Sequence, residues 1–268
     1  MIGAIIGDIV GSRFEWHNIK TKEFDFFTSR CRPTDDSVMT LAVAQAILNS
    51  GGDLDALERE AVSCMQALGR RYPRAGYGGR FHRWLSMEYP RPYNSYGNGS
   101  AMRVSPCGFA AKTLDEAVAM ADAVTAVTHN HPEGMKGAEA TAAAIFLARS
   151  GKTKEEIRAH IEQHYYRLDF TLDEIRPTYT FDVSCQGSVP QALEAFFESV
   201  SFEDAIRNAI SIGGDSDTIA AITGGIAEAF YGVPEEIFDR ALTFLDDIQM
   251  EILIAFREKY PGVPCSSN

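Results

Sequence analysis

Two acidic clusters, Thr34-Asp35-Asp36 and Asp215-Ser216-Asp217-Thr218, each stand directly before a strongly apolar stretch with helical spacing. An Asp at the start of a helix is ordinary, because its carboxylate caps free backbone N–H groups and suits the positive end of the dipole. Two Asp at each of two such ends exceed what capping requires. The residues around the second cluster are small and apolar, Ser211-Ile212-Gly213-Gly214 before it and Ile219-Ala220-Ala221-Ile222 after it. That setting implies partial burial, where unpaired carboxylates are expensive. If the fold brings the two ends together, four carboxylates repel one another unless a cation sits between them. Hard divalent ions such as magnesium or manganese prefer such carboxylate and hydroxyl oxygens. Asp215 and Asp217 can point at one ion while Ser216 faces away, Thr34 and Thr218 add neutral oxygens, and neither motif contains Lys or Arg. The competing reading is two capped helices with a solvated acidic face.

Helical periodicity dominates the remaining sequence and strand patterns are sparse, so the expected fold is all-α, a single domain over residues 1–268. Val38, Leu41, Ala42, Gln45 and Leu48 mark one face of a helix from about residue 35 to 49, stopped by Gly51-Gly52. Asp53 or Asp55 opens the next, which carries Leu57, Ala61, Cys64, Met65 and Leu68. Further helices are expected at Leu114–Val127, Gly134–Arg149, Lys154–His164, Val189–Val200, Phe202–Ser211, Asp217–Tyr231 and Pro234–Lys259. The alanine-rich run 134–149 suits close helix packing. Phe24–Phe27 and Tyr179–Val183 are the only strand candidates. Residues 72–99 break the pattern, being rich in Gly, Pro, Tyr, Arg and Asn, and so long an irregular stretch in a compact domain is usually functional.

Composition narrows the function classes. At 45% hydrophobic and 23% charged residues the chain is an ordinary globular protein. Its net charge of −12 weighs against a nucleic-acid backbone as the main partner, although backbone amides and helix ends can still bind a small anion locally. The longest apolar stretches fall short of the ~20 residues needed to span a bilayer. MIGAIIGDIVGS makes a poor signal peptide, lacking a basic flank and carrying Asp8 inside its apolar run. Cys31, Cys64, Cys107, Cys185 and Cys265 are scattered, odd in number and without a CxxC pair, which favours a reducing, cytoplasmic setting over a disulfide framework or zinc site.

Three other segments carry chemistry. In Ser95-Tyr96-Gly97-Asn98-Gly99-Ser100-Ala101-Met102-Arg103 the glycines allow close backbone approach to a ligand and successive amides make an anion-binding concavity. The pattern is neither GxGxxG nor a P-loop, and a simple turn is the bland alternative. Gly7-Asp8-Ile9-Val10-Gly11-Ser12-Arg13-Phe14-Glu15 reads as a glycine-containing helix packed closely on a neighbour. Glu15 at its polar end offers a third source of carboxylate. Thr128-His129-Asn130-His131-Pro132-Glu133 lacks the HExxH spacing of a zinc site; His129 is a candidate polar ligand contact, and His131-Pro132 a helix-opening loop.

In order and in combination, these segments resemble the ADP-ribosylglycohydrolase family, the ADP-ribosyl-acceptor hydrolases, of which dinitrogenase reductase-activating glycohydrolase is one bacterial branch. The matching pieces are Gly7-Asp8, Gly11, Glu15, Thr34-Asp35-Asp36, Gly97-Asn98-Gly99, Met102-Arg103, Thr128-His129 and Gly214-Asp215-Ser216-Asp217-Thr218-Ile219-Ala220, spanning most of the chain. The resemblance implies an orthogonal multi-helix domain with two magnesium (or manganese) ions in a central cleft, held by Thr34, Asp35, Asp36, Asp215, Asp217 and Thr218. It implies that Ser95, Tyr96, Gly97, Asn98, Gly99, Ser100, Met102, His129, Gly213 and Gly214 bind the substrate, and that Glu15, Asp36 and Asp217 are catalytic. The implied reaction is cleavage of the glycosidic bond between ADP-ribose and an acceptor, with an ADP-ribosylated protein or small ADP-ribose conjugate as partner and ADP-ribose as product. Glu15 and the Ser95–Gly99 stretch look like the branch associated with serine-linked ADP-ribose. The arginine-specific bacterial branch carries an additional catalytic Asp upstream of the GNG loop, where Ala75-Gly76-Tyr77-Gly78-Gly79-Arg80 has no acid. A two-metal phosphohydrolase acting on a nucleotide and a non-catalytic ADP-ribose-binding or structural relative are the alternatives; the latter would be expected to have lost acidic ligands.

Overall fold

Glycine at every fourth position of the first helix sets the packing at the centre of the molecule. The computed structural model describes residues 1–262. Its helices are α1 (Ile2–Gly11), α2 (Asp35–Ser50), α3 (Leu54–Arg71), α4 (Gly79–Trp84), α5 (Ser105–Ala110), α6 (Leu114–Ala126) and α7 (Pro132–Arg149), followed by α8 (Lys154–His164), α9 (Leu172–Ile175), α10 (Cys185–Phe197), α11 (Phe202–Ser211), α12 (Ser216–Tyr231), α13 (Glu235–Leu242) and α14 (Asp247–Lys259). The described residues contain no strand, only an isolated bridge between Gly97 and Ser184. No helix among them is long and apolar enough to cross a membrane.

Gly3, Gly7 and Gly11 line the face of α1 that meets α12. A Cβ at Gly3 would lie 2.2 Å from the Gly224 carbonyl oxygen, one at Gly7 2.0 Å from that of Ala220, and one at Gly11 2.5 Å from Asp217 Cα. The two backbones therefore touch, which only residues without a side chain permit. Helix α12 is buried from Ser216 to Ala229, as expected of a helix apolar on all faces at a domain centre. Helices α7, α10 and α11 pack around it, and α2 lies against α1 and α3. The buried apolar side chains form one cluster drawing on most of the helices.

Local chemistry explains most boundaries. Thr34 caps α2, and Gly51 ends it in the left-handed conformation at φ 63°. Asp53, not Asp55, caps α3, accepting from Ala56 N. The single helix expected over Pro234–Lys259 is two, α13 and α14, because Asp246 caps Ile248 and Gln249 while the Gln249 side chain bonds back to Asp246 N. The helix expected from Val189 begins earlier, at Cys185, where Ser184 caps Gly187 N, and stops at Phe197. Neither Phe24–Phe27 nor Tyr179–Val183 is a strand. The second is an irregular segment whose Val183 carbonyl accepts from Asn98 N at 2.7 Å. Cys31, Cys64, Cys107 and Cys185 are buried and unpaired, and Cys265 lies outside the described residues.

Gly7→Ala should lower the unfolding free energy by about 1–3 kcal/mol, the cost of overpacking, because the Ala220 carbonyl cannot retreat without moving α12. Gly79→Ala, whose Cβ would enter open space, should be neutral or slightly stabilising. Urea denaturation of both variants checks this, and equal stabilities would rule out the tight α1–α12 contact.

Candidate metal centre and ligand cleft

The α1–α12 contact places the end of α1 against the start of α12, and α1 then fixes α2 through one side chain. Asp8 is fully buried. Its carboxylate accepts from Thr34 N (2.8 Å), Thr34 Oγ1 (2.6 Å), Ser37 N (3.0 Å) and the Ser37 hydroxyl. A carboxylate from one helix thus caps the first turn of another. Sequence reasoning did not nominate Asp8 as a site residue. The available signal was a lone acid inside an apolar run, which has to find donors once buried.

This arrangement brings the two acidic clusters together. Thr218 Oγ1 on α12 donates to Asp36 Oδ2 at 3.3 Å, and Thr34 Oγ1 lies 3.4 Å from the same oxygen. Asp36 Oδ1 is buried with no hydrogen-bond partner. Carboxylate oxygens of Asp8, Asp36 and Asp217 lie within 4.8 Å of one another, and so do those of Glu15, Asp215 and Asp217. The two sets share Asp217. Asp8 is already saturated with donors, so its place in the first set is to hold the 34–37 turn. Asp35 stands slightly apart on the cleft wall, with its N–H on the Ala75 carbonyl (3.1 Å) and its carboxylate beside Gly76.

Burial raises the pKa of all six carboxyls. Repulsion from neighbouring carboxylates adds to the rise at Glu15, Asp35, Asp36, Asp215 and Asp217. Asp35 is pushed up to about 7, and Asp36 and Asp217 are raised well above the usual carboxylate range. Arg32 opposes the shift at Glu15, but no ion pair among the described residues neutralises any of the six. An orphaned buried oxygen, oxygen-only donors and unbalanced negative charge together fit hard divalent cations.

All of these carboxylates except Asp8 line a cleft of about 420 Å³ whose lining also includes Ser95, Gly97, Asn98, Gly99, Met102, His129 and Arg80. Asn98 Nδ2 donates to Asp215 Oδ2 at 2.7 Å and to Ser188 Oγ at 3.0 Å, tying the glycine turn to the acidic centre. His129 is buried, with Nε2 toward Gly97 and Gly99. Four of the expected substrate-binding residues lie off the cleft wall. Ser100 is buried and donates to the Gly97 and Gly134 carbonyls, while Tyr96 is half-exposed against His131. Gly213 and Gly214 form a left-handed turn (φ 70° and 76°) behind Asp215, where Gly214 N donates to Asn18 Oδ1 and Gly214 O accepts from Asn18 Nδ2.

Sequence reasoning also passed over Arg80, Trp16 and Phe181. The exposed Arg80 guanidinium lies 4.9 Å above the Tyr93 ring and bonds the Tyr93 carbonyl, adding positive charge to the cleft lining. Trp16, 73% exposed, stacks on Phe181 at 5.1 Å on the rim beside Glu15. The tyrosine and arginine content of residues 72–99 hinted at Arg80. No local pattern pairs positions 16 and 181.

The sequence profile of the ADP-ribosylglycohydrolase family matches residues 1–259. ADP-ribosylhydrolase ARH3 of Xenopus tropicalis is 25% identical over 87% of this chain and 86% of its own length, and that of Homo sapiens 26% identical over 88% and 85%. ADP-ribosylarginine hydrolase Tri1 of Serratia proteamaculans (strain 568) is 26% identical over 90% of this chain and 73% of its own. A solved structure titled ADP-ribosylglycohydrolase-related protein complex superposes with a TM-score of 0.68 at 22% identity, covering 97% of this chain and 95% of that one, which shows the common fold. With the profile match covering nearly its whole length, the chain belongs to the ADP-ribosylglycohydrolase family of enzymes.

Proposed function

We propose that this enzyme is a metal-dependent ADP-ribosyl hydrolase that cleaves the bond between the distal ribose of ADP-ribose and an acceptor. The observation that carries the reading is one cleft lined by both kinds of group. Glu15, Asp36, Asp215 and Asp217 line it together with the Gly97-Asn98-Gly99 turn, His129 and Arg80. Sugar hydroxyls suit the acids and a diphosphate the turn. Thr34, Asp35, Asp36, Asp215, Asp217 and Thr218 would hold magnesium or manganese. Bound there, such ions supply Lewis-acid polarisation and lower the pKa of bound water.

The chain's own groups account for the rest. Cleavage at the anomeric carbon passes through an oxocarbenium-like transition state, so the chain has to orient a water for attack and manage the proton of the leaving atom. Glu15, half-buried beside Asp215 and Asp217, stands where it can exchange a proton with the attacking water or the departing acceptor atom. Asp36 and Asp217 orient the attacking water. We favour an oxygen-linked acceptor such as serine, because residues 76–80 contribute Arg80 to the cleft wall and no acid.

Peptides ADP-ribosylated on serine or on arginine, incubated with and without chelator, should yield free ADP-ribose, faster from serine and only with metal present. Asp36→Asn should lower kcat by about 10²-fold or more. AMP or phosphate as the product would replace this reading with the phosphohydrolase one.

The metal has a separate, activity-free signature. Asp35, Asp36 and Asp217 have folded-state pKa values above their unfolded ones, so the metal-free native state binds more protons than the unfolded chain. Its stability is then fullest below about pH 4 for these groups and falls as pH rises through about 7, the value for Asp35, with the raised Asp36 and Asp217 acting in the same direction. Magnesium at a hundredfold its Kd should restore about 2.7 kcal/mol near pH 8. Melting curves with chelator and with magnesium from pH 5 to 9 would show the two diverging as pH rises; parallel curves would argue against a cation at this centre.

A further inference from the structure

Arg103 is a large cation buried without an acid. It is 1% exposed, no ion pair of the described residues includes it, and its Nε has no partner. Nη2 donates to the Val124 carbonyl at 3.1 Å and to Thr128 Oγ1 at 2.7 Å. A guanidinium can only donate, so Thr128 Oγ1 is an acceptor in that bond and its single proton must go elsewhere. Two acceptors lie near: His129 Nδ1 at 2.7 Å and the Thr125 carbonyl at 3.4 Å. That carbonyl already accepts from Thr128 N (3.1 Å) and His129 N (2.8 Å). Distance and occupancy both direct the hydroxyl proton to Nδ1.

We propose that Arg103 and Thr128 are positioning residues that lock His129 as the neutral Nε2–H tautomer, so that it presents a fixed hydrogen-bond donor to an anion seated at the Gly97–Gly99 turn. Nδ1, receiving a proton from Thr128, carries none of its own, which leaves the ring proton on Nε2. Nε2 has no hydrogen-bond partner among the described residues. It faces the glycine turn, 3.4 Å from where a Gly99 Cβ would stand and 3.6 Å from that of Gly97. Burial, with the Arg103 and Arg80 charges, holds the His129 pKa well below the usual histidine value, so the ring is neutral near pH 7. The relay thus runs from a buried charge, through a hydroxyl, to a donor on the cleft wall. That the anion is the diphosphate of ADP-ribose rests on the function proposed above; the tautomer does not.

Two-bond ¹H–¹⁵N correlation spectra of the histidine side chains distinguish protonated from bare ring nitrogens in the full-length protein near neutral pH, with His129 assigned by its loss in His129→Gln. The expected result is a protonated Nε2 and a bare Nδ1 in the wild type and in Thr128→Ser. In Thr128→Val, which keeps the shape and loses the hydroxyl, the two tautomers should mix. Titration calorimetry with ADP-ribose should show about tenfold weaker binding for Thr128→Val, the size of one hydrogen bond to a charged group, and near-normal binding for Thr128→Ser. A wild-type His129 protonated on Nδ1 overturns the lock, as does a folded Thr128→Val that keeps both tautomer and affinity. A wild type with the expected tautomer that binds neither ADP-ribose nor inorganic pyrophosphate upholds the lock and overturns the ligand reading.

Discussion

The backbone contact between α1 and α12 is the constraint on which the remaining geometry depends. Gly3, Gly7 and Gly11 carry no side chain, and Ala220 and Gly224 opposite them almost none, so two helices from opposite ends of the chain meet closer than side chains would allow. Dispersion across such a face is dense, but the positional consequence matters more. The contact runs along α1 to Gly11, which rests on Asp217, so the acidic start of α12 has a fixed distance from Asp8 and from Glu15 just beyond.

From that fixed point a single carboxylate reaches sideways. Asp8 accepts four bonds from Thr34 and Ser37, satisfying N–H groups that open the first turn of α2. Capping by a residue of another helix makes local structure and tertiary structure the same interaction. It also leaves Asp36 with one bonded and one bare oxygen. The remaining carboxylates repel one another, and none of them forms an ion pair with a Lys or Arg among the described residues. The arrangement, without a cation, opposes folding at neutral pH; such strain is characteristic of sites kept for chemistry.

The same cleft lining also carries positive charge. Arg103 is buried against the Val124 carbonyl and the Thr128 hydroxyl, and Arg80 covers Tyr93. Asn98 joins the glycine turn to the acidic centre, its backbone on Val183 and its amide on Asp215. On the function proposed above, sugar hydroxyls would meet the acids and phosphates the turn.

The sequence by itself determined the features that depend on near neighbours. Period and caps marked α2, α8 and α11 almost to the residue, Gly7 and Gly11 announced close packing, and Thr34-Asp35-Asp36 with Asp215-Ser216-Asp217-Thr218 named the donor chemistry. It missed features whose deciding interaction is small or whose elements are short. The break at 243–246 rests on the Asp246–Gln249 capping box, and α4, α5 and α9 are too short to show a period. That Asn18, from the other end of the chain, holds the Gly213-Gly214 turn has no local signal. Only the tertiary structure decided that the two acidic ends meet, that Asp8 caps α2, and that Arg80, Trp16 and Phe181 border the same cleft. The physical reason is common to all three: each is a contact between segments far apart in the chain, set by how closely two helix backbones can approach, and nothing in the local pattern of residues carries that distance.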